Sequence, residues 1–149
     1  MANEVLQKSR STITAQDNSS SLDETYDPNS ASYTGGTPTV IDNTYDGGSE
    51  NAKGAEVLKL ELLVTTGPGT AGGAEIWYSE SEDGTNYTRY KYSHTVGDDI
   101  VATTGGDGYR YDAGIFVLTA QYVKLAVNAG AYDIGDCTLF ATPKLPEIQ

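Results

Sequence analysis

The sequence predicts an all-β protein, an antiparallel β-sandwich of jelly-roll or immunoglobulin-like type preceded by an extended N-terminal arm. Three observations carry this. After Ala55, apolar and polar residues alternate at period 2, as on a half-buried strand. Gly- and Asp-rich breaks recur about every 8–12 residues, the spacing of sandwich or barrel strands. No segment carries the 3.6-residue period of a long amphipathic helix, and only residues 3–10 have room for a turn or two.

The front third, residues 1–54, is dominated by Ser, Thr, Asn, Asp and Gly, with Val5, Leu6, Ile13, Leu22, Val40 and Ile41 as its few large aliphatics. Such a stretch buries too little apolar surface to fold alone. Its tyrosines, Tyr26, Tyr33 and Tyr45, sit in polar settings (ETYDPNS, ASYTGG, NTYDGGSE), as anchors of an arm on another surface would. The expected division is therefore an arm over 1–54 and a sandwich over 55–149. Val5, Leu6, Ile13, Tyr26, Tyr33, Val40 and Tyr45 are the candidate partner-binding anchors. An extended arm of this length spans several neighbouring subunits at about 3.3 Å per residue, and only a partner surface offsets the entropy of ordering it.

Within the sandwich, Leu58, Leu60, Leu62 and Val64 alternate with Lys59, Glu61, Leu63 and Thr65, which marks the first strand. GPGTAGG interrupts it, and residues 74–81 resume with Ile76, Trp77 and Tyr78, all favoured on a pleated surface. Asp83-Gly84 is a hairpin-turn dipeptide. After it, Tyr90 and Tyr92 are expected on one face and Tyr87, Arg89 and Lys91 on the other. Further strands are expected at 100–103, 109–111, 115–119, 121–128 and 137–142. In 121–128, Val123, Leu125 and Val127 form the buried side. IFVLT, residues 115–119, is apolar on both faces, which predicts a strand covered on both sides or one at a subunit contact.

Charge narrows the partners. With 9 Lys+Arg against 21 Asp+Glu, the net charge is −12. Nucleic-acid affinity rests on cations displacing counterions, so no nucleic-acid partner is expected. An anionic membrane surface is disfavoured by the same field, and no apolar run approaches the roughly 20 residues needed to span a bilayer. MANEVLQKSR lacks the apolar core of a secretory signal, so a soluble chain made in the cytoplasm is expected. The lone Cys137 has no partner for an intrachain disulfide and is expected to pack as a small apolar residue.

The chemical motifs resolve to loop and surface features. Residues 67–72 spell G-x-G-x-x-G after a strand, but lead into another β-like segment instead of the helix whose amides receive a pyrophosphate. No cofactor is expected. Gly105-Gly106-Asp107-Gly108 starts like a calcium β-roll repeat, yet it is a single copy with Arg110 where a second acid belongs. Glu80, Glu82 and Asp83, and the Asp98-Asp99 pair, lack EF-hand spacing, so no metal site is expected. His94 is the one imidazole and has no nucleophile-elbow sequence to serve, so no catalytic residue is expected. Asn18-Ser19-Ser20 and Asn86-Tyr87-Thr88 are sequons that matter only in a secretory pathway.

The 11 tyrosines are the one excess with functional meaning, because Tyr buries large area at small rotamer cost and keeps a polar tip. Trp77, Tyr78, Tyr87, Tyr90, Tyr92, Tyr109 and Tyr111 are a candidate aromatic face, with ordinary cross-strand pairing as the competing account.

The Gly-punctuated sandwich, the run AEIWYSESEDGTNYTRY and the closing TAQYVKLAVNAGAYDIGDCTLFATPKLPEIQ resemble small virion proteins of tailed bacteriophages, especially capsid decoration or cement proteins. The likeness covers 55–149 in style and includes the leading arm in arrangement, and no residue's role transfers through it. It implies a non-enzymatic protein on the capsid exterior, assembled in the host cytoplasm. Such a protein binds the major capsid protein lattice and copies of itself, and clamps neighbouring subunits against internal DNA pressure. SEDGTNY also occurs in carbohydrate-binding jelly rolls and tail components. The alternatives are therefore a sugar-binding module, with the aromatics as platform and acidic loops gripping hydroxyls or calcium, and a tail-tube or fibre subunit.

Overall fold

A computed structural model describes residues 12–19, 38–43, 52, 54–64, 72–100, 109–128 and 137–144. The described residues hold eight strands and no helix: β1 (Ile13–Ser19), β2 (Ile41–Asp42), β3 (Val57–Val64), β4 (Gly72–Ser81), β5 (Lys91–Ile100), β6 (Tyr109–Val117), β7 (Tyr122–Asn128) and β8 (Cys137–Lys144). They form two antiparallel four-stranded sheets, ordered β1-β8-β3-β6 and β2-β7-β4-β5. The pairs β1 with β8, β2 with β7, β3 with β6 and β4 with β5 are nested like one long hairpin rolled on itself. Two sheets in that strand order are a jelly roll, which decides between the two sandwich types the sequence left open.

The core follows from the period of 2. Leu58, Leu60, Leu62 and Val64 of β3 point inward with no exposed surface, and meet Ile76, Val123, Leu125 and Val127 of the facing sheet. Each such side chain contributes about 1.5–3 kcal/mol of burial. Cys137 lies in the same core with Leu139 and Ala141.

The front third belongs to this body wherever it is described, which corrects the expectation of a sandwich beginning at Ala55. β1 and β2 each complete one sheet. Ile13 and Ala15 are buried in the core, so Ile13 is a core residue and not an anchor for a foreign surface. The polar character of β1 is accommodated because Gln16 uses Oε1 to accept the Val127 backbone N–H of the other sheet at 2.9 Å. Ile41 is fully buried opposite Val123. The Thr39 N–H donates to the Ala15 carbonyl at 2.8 Å, tying the β2 approach to β1.

Three further expectations change. Residues 109–111 and 115–119 are parts of a single strand through Val117. Lys59 faces Ile115 while Glu61 faces Asp112, so β6 carries an extra residue, and Gly114 takes a φ of 79° there. Asp83-Gly84 does not turn a two-residue hairpin, because residues 82–90 form a longer connection between β4 and β5. The strand expected at 100–103 is the end of β5 at Ile100, with 101–103 outside the described residues.

Candidate functional site

Six of the seven aromatics divide between two layers. Trp77 faces Ala126 and Tyr92 across its neighbouring strands, on the outer side of the β2-β7-β4-β5 sheet. Tyr90 is buried there against Ala126, with Trp77 packed alongside. Tyr87 lies under the Lys124 ammonium, 4.2 Å from the ring centroid. Tyr87 thus joins the layer of Tyr90 instead of the opposite face, because 87–90 is a loop folded over the sheet. Three hydrogen bonds fasten that loop: Ser79 Oγ to the Thr88 carbonyl at 2.6 Å, the Thr88 N–H to the Glu80 carbonyl at 2.9 Å, and the Glu80 N–H to Thr88 Oγ1 at 3.1 Å. Tyr78 and Tyr111 pack against the interior, with the Tyr78 ring 5.2 Å from that of Phe116. Tyr109 opens β6, and its side chain lies outside the described residues.

Trp77 and Tyr92 meet edge to face, at 6.0 Å and 76°. Their planes are nearly perpendicular, so they present no shared flat platform. The layer mainly covers its own sheet, and Trp77 Nε1 donates to Glu75 Oε1 at 3.2 Å.

The connection after β4 is self-contained as well. Asp83 Oδ1 accepts Ser81 Oγ and the N–H groups of Thr85 and Asn86, and Oδ2 accepts Asn86 Nδ2. The Asn86 donors, then Thr85 and Ser81, hold the Asp83 carboxyl far below the usual aspartate range. Gly84 is required by its φ of 75° and by the Tyr122 ring, which a Cβ would meet at 3.1 Å. Beside it, Glu80 Oε2 accepts the Thr119 hydroxyl at 2.6 Å. No group of three His, Cys, Asp or Glu side chains converges as a metal site among the described residues. The side chains of Asp98 and Asp99, like the 67–71 and 105–108 loop segments, lie outside them.

The feature that faces outward is a cleft between two sheet edges. β6 is an edge strand of one sheet and β5 of the other, and the contact of His94 in β5 with Ala113 in β6 puts both edges on the same side of the molecule. Between them is a cleft of about 340 Å³ lined by Tyr78, Tyr92, Ser93, Ile115, Phe116, Val117 and Thr119. One link bridges the two edges. His94 Nε2 lies 2.6 Å from the Ala113 carbonyl and Nδ1 lies 2.8 Å from Ser93 Oγ. A carbonyl only accepts, so Nε2 carries a proton, and in the neutral ring Nδ1 accepts from the Ser93 hydroxyl.

Ile115 and Val117 are 62% and 59% exposed, the most exposed large aliphatics among the described residues. Cross-strand pairing places Lys59 opposite Ile115, Val57 opposite Val117, and Lys144 opposite Val57. Lys91 reaches over the Tyr78 ring at 5.8 Å. Aliphatic side chains therefore meet a cationic border in a chain that is acidic overall. Beyond the bulge the face is self-neutralised, with Arg110 paired to Glu61 and lying over Phe140. Ile115 and Val117 are outside the aromatic and arm candidates; of the run IFVLT, expected to be covered on both sides or to lie at a subunit contact, the structure leaves these two side chains exposed.

Of the arm candidates, Val40 is 39% exposed just before β2, whereas Val5, Leu6, Tyr26, Tyr33 and Tyr45 lie outside the described residues. No family model, curated protein or solved structure matches this chain.

Proposed function

We propose that this chain is a non-enzymatic structural protein of a virion, a decoration or cement protein that binds the outside of an assembled phage capsid and stabilises it. The observation that supports attachment to another protein is the aliphatic strip Ile115 and Val117, held outward on a sheet edge at about 60% exposure. Leaving two β-branched side chains in water at an edge invites pairing with another chain, a liability that charges or cover normally remove. The likeness of residues 55–149 to small virion proteins supplies the capsid as the partner. Jelly rolls serve in capsids and in lectins alike, so the fold alone does not choose. The perpendicular Trp77 and Tyr92 rings argue against the sugar platform.

Attachment by the front third is retained for Val5, Leu6, Tyr26, Tyr33, Val40 and Tyr45, without Ile13. Purified chain mixed with DNA-filled tailed-phage capsids should pellet with them at a saturable ratio and raise the temperature of DNA release. Glycan-array binding without capsid binding would replace this proposal with the lectin alternative.

A further inference from the structure

The geometry points to an occupant for the cleft: an extended, acidic, aliphatic-bearing segment of a partner protein, added as a strand along the β6 edge at residues 115–117. This goes beyond lattice attachment, because it names the binding mode and the chemistry of the segment whichever protein carries it.

Edge strands offer unpaired backbone groups, and proteins commonly blunt them with charges, bulges or cover. β6 is blunted over one half only. Arg110 and Asp112 stand on its first half, and the bulge with Gly114 follows. His94 then occupies the Ala113 carbonyl and closes that end. Past this stop, Ile115, Phe116 and Val117 carry no charge, and the cleft beside them is floored by Phe116 and Tyr78. A strand added here gains main-chain hydrogen bonds from the edge and places alternate side chains on Ile115 and Val117.

Charge sets the sign of the partner. Lys59, opposite Ile115, and Lys91, over the Tyr78 ring, border this corner of a chain holding 21 acids and nine basic residues, and Lys144 lies one strand further in. Two acids are near: Glu56, whose carbonyl accepts the Leu118 N–H, and Glu80, whose carboxylate is occupied by the Thr119 hydroxyl; Asp112 lies beyond the bulge and accepts the Gly114 N–H. A second copy is the poorer occupant. Pairing β6 with β6 would set the lysine border against itself and bring two chains of net charge −12 together. A short acidic segment sets opposite charge against the lysines and brings far less negative charge to the chain than a second copy does.

The test uses the purified full chain and two acetylated hexapeptides, Asp-Ile-Glu-Val-Asp-Val and its counterpart with Lys at the three acidic positions. Fluorescence anisotropy gives affinity, and ¹⁵N amide shifts give the place. The acidic peptide should bind on the order of tenfold tighter than the lysine peptide, since like charges in contact are strongly disfavoured. Shifts should centre on residues 115–117. Ile115→Lys with Val117→Lys should abolish binding while leaving the melting temperature unchanged, because both side chains are exposed. Lys59→Glu should narrow or invert the preference. No binding at millimolar peptide, equal binding of both peptides, shifts centred elsewhere, or unaltered binding by the double variant each overturns the inference. So does a concentration-dependent dimer in which the same amides become protected. Capsid co-sedimentation reads the proposed function separately, so failure of one is distinguishable from failure of the other.

Discussion

His94 and Ala113 join the two sheets at their open side: the imidazole Nε2–H of β5 donates to a β6 carbonyl 2.6 Å away. Gly114, next to that carbonyl, leaves room for the ring, since a Cβ there would lie 3.2 Å from Nε2. Gly114→Ala should therefore cost about 1–2 kcal/mol for the left-handed backbone alone, and more once the ring is displaced. His94→Ala should cost about 1–3 kcal/mol by leaving the Ala113 carbonyl without its donor. Urea unfolding of both variants and of the double variant checks this. Coupled losses are expected, and strictly additive ones would count against the link.

Gln16 should be as important as an apolar core residue. Gln16→Leu removes the acceptor of the Val127 N–H and should destabilise by about 1–3 kcal/mol despite greater hydrophobicity. Deleting residues 1–19 should abolish the near-ultraviolet circular dichroism of the sandwich, because β1 is removed.

Core and edge aliphatics should separate cleanly. Leu60→Ala, at a fully buried position, should cost about 2–5 kcal/mol. Ile115→Ser should stay within about 0.5 kcal/mol of the parent, as expected at an exposed site. Thermal denaturation of the two variants side by side is the measurement.

Acid sensitivity should include Asp83. Its carboxyl titrates below its unfolded value, so it favours the folded state above the ordinary aspartate range. That contribution should be lost as pH falls through the depressed folded value. Asp83→Asn should be less stable than the parent at pH 7 and show a shallower decline below about pH 4, the ordinary aspartate pKa. A side-chain carboxyl ¹³C titration of Asp83 with an ordinary midpoint would sink this.

Much of the fold was legible because its central strands obey simple rules. β3 alternates without a fault, and the strand expected at 121–128 is β7 with its inward Val123, Leu125 and Val127. β1 was illegible for a physical reason: ITAQDNS looks like an arm because its buried Gln16 is satisfied by a partner 111 positions away. β2 has two residues, too few for any period. Gly114 reads as a break in the sequence, whereas in the sheet it bends one strand through a bulge. The aromatic excess was visible, but its division into a lid over Ala126 and an interior group depends on the loop 87–90, whose path no local pattern sets. The apolar character of both faces of this strand was legible in IFVLT, while the lysines near it come from β3, β5 and β8 and appear only once register is known.

The nested pairing also dictates the order in which the molecule can be finished during synthesis. β8 lies between β1 and β3, so the last of the eight described strands to be translated is an inner member of its sheet. Until it emerges from the ribosome, Ile13 has no Ala141 to face and one side of Leu62 stays uncovered. Contacts between segments distant in sequence close slowly, and the nascent protein spends that interval with a gap between β1 and β3 that β8 fills.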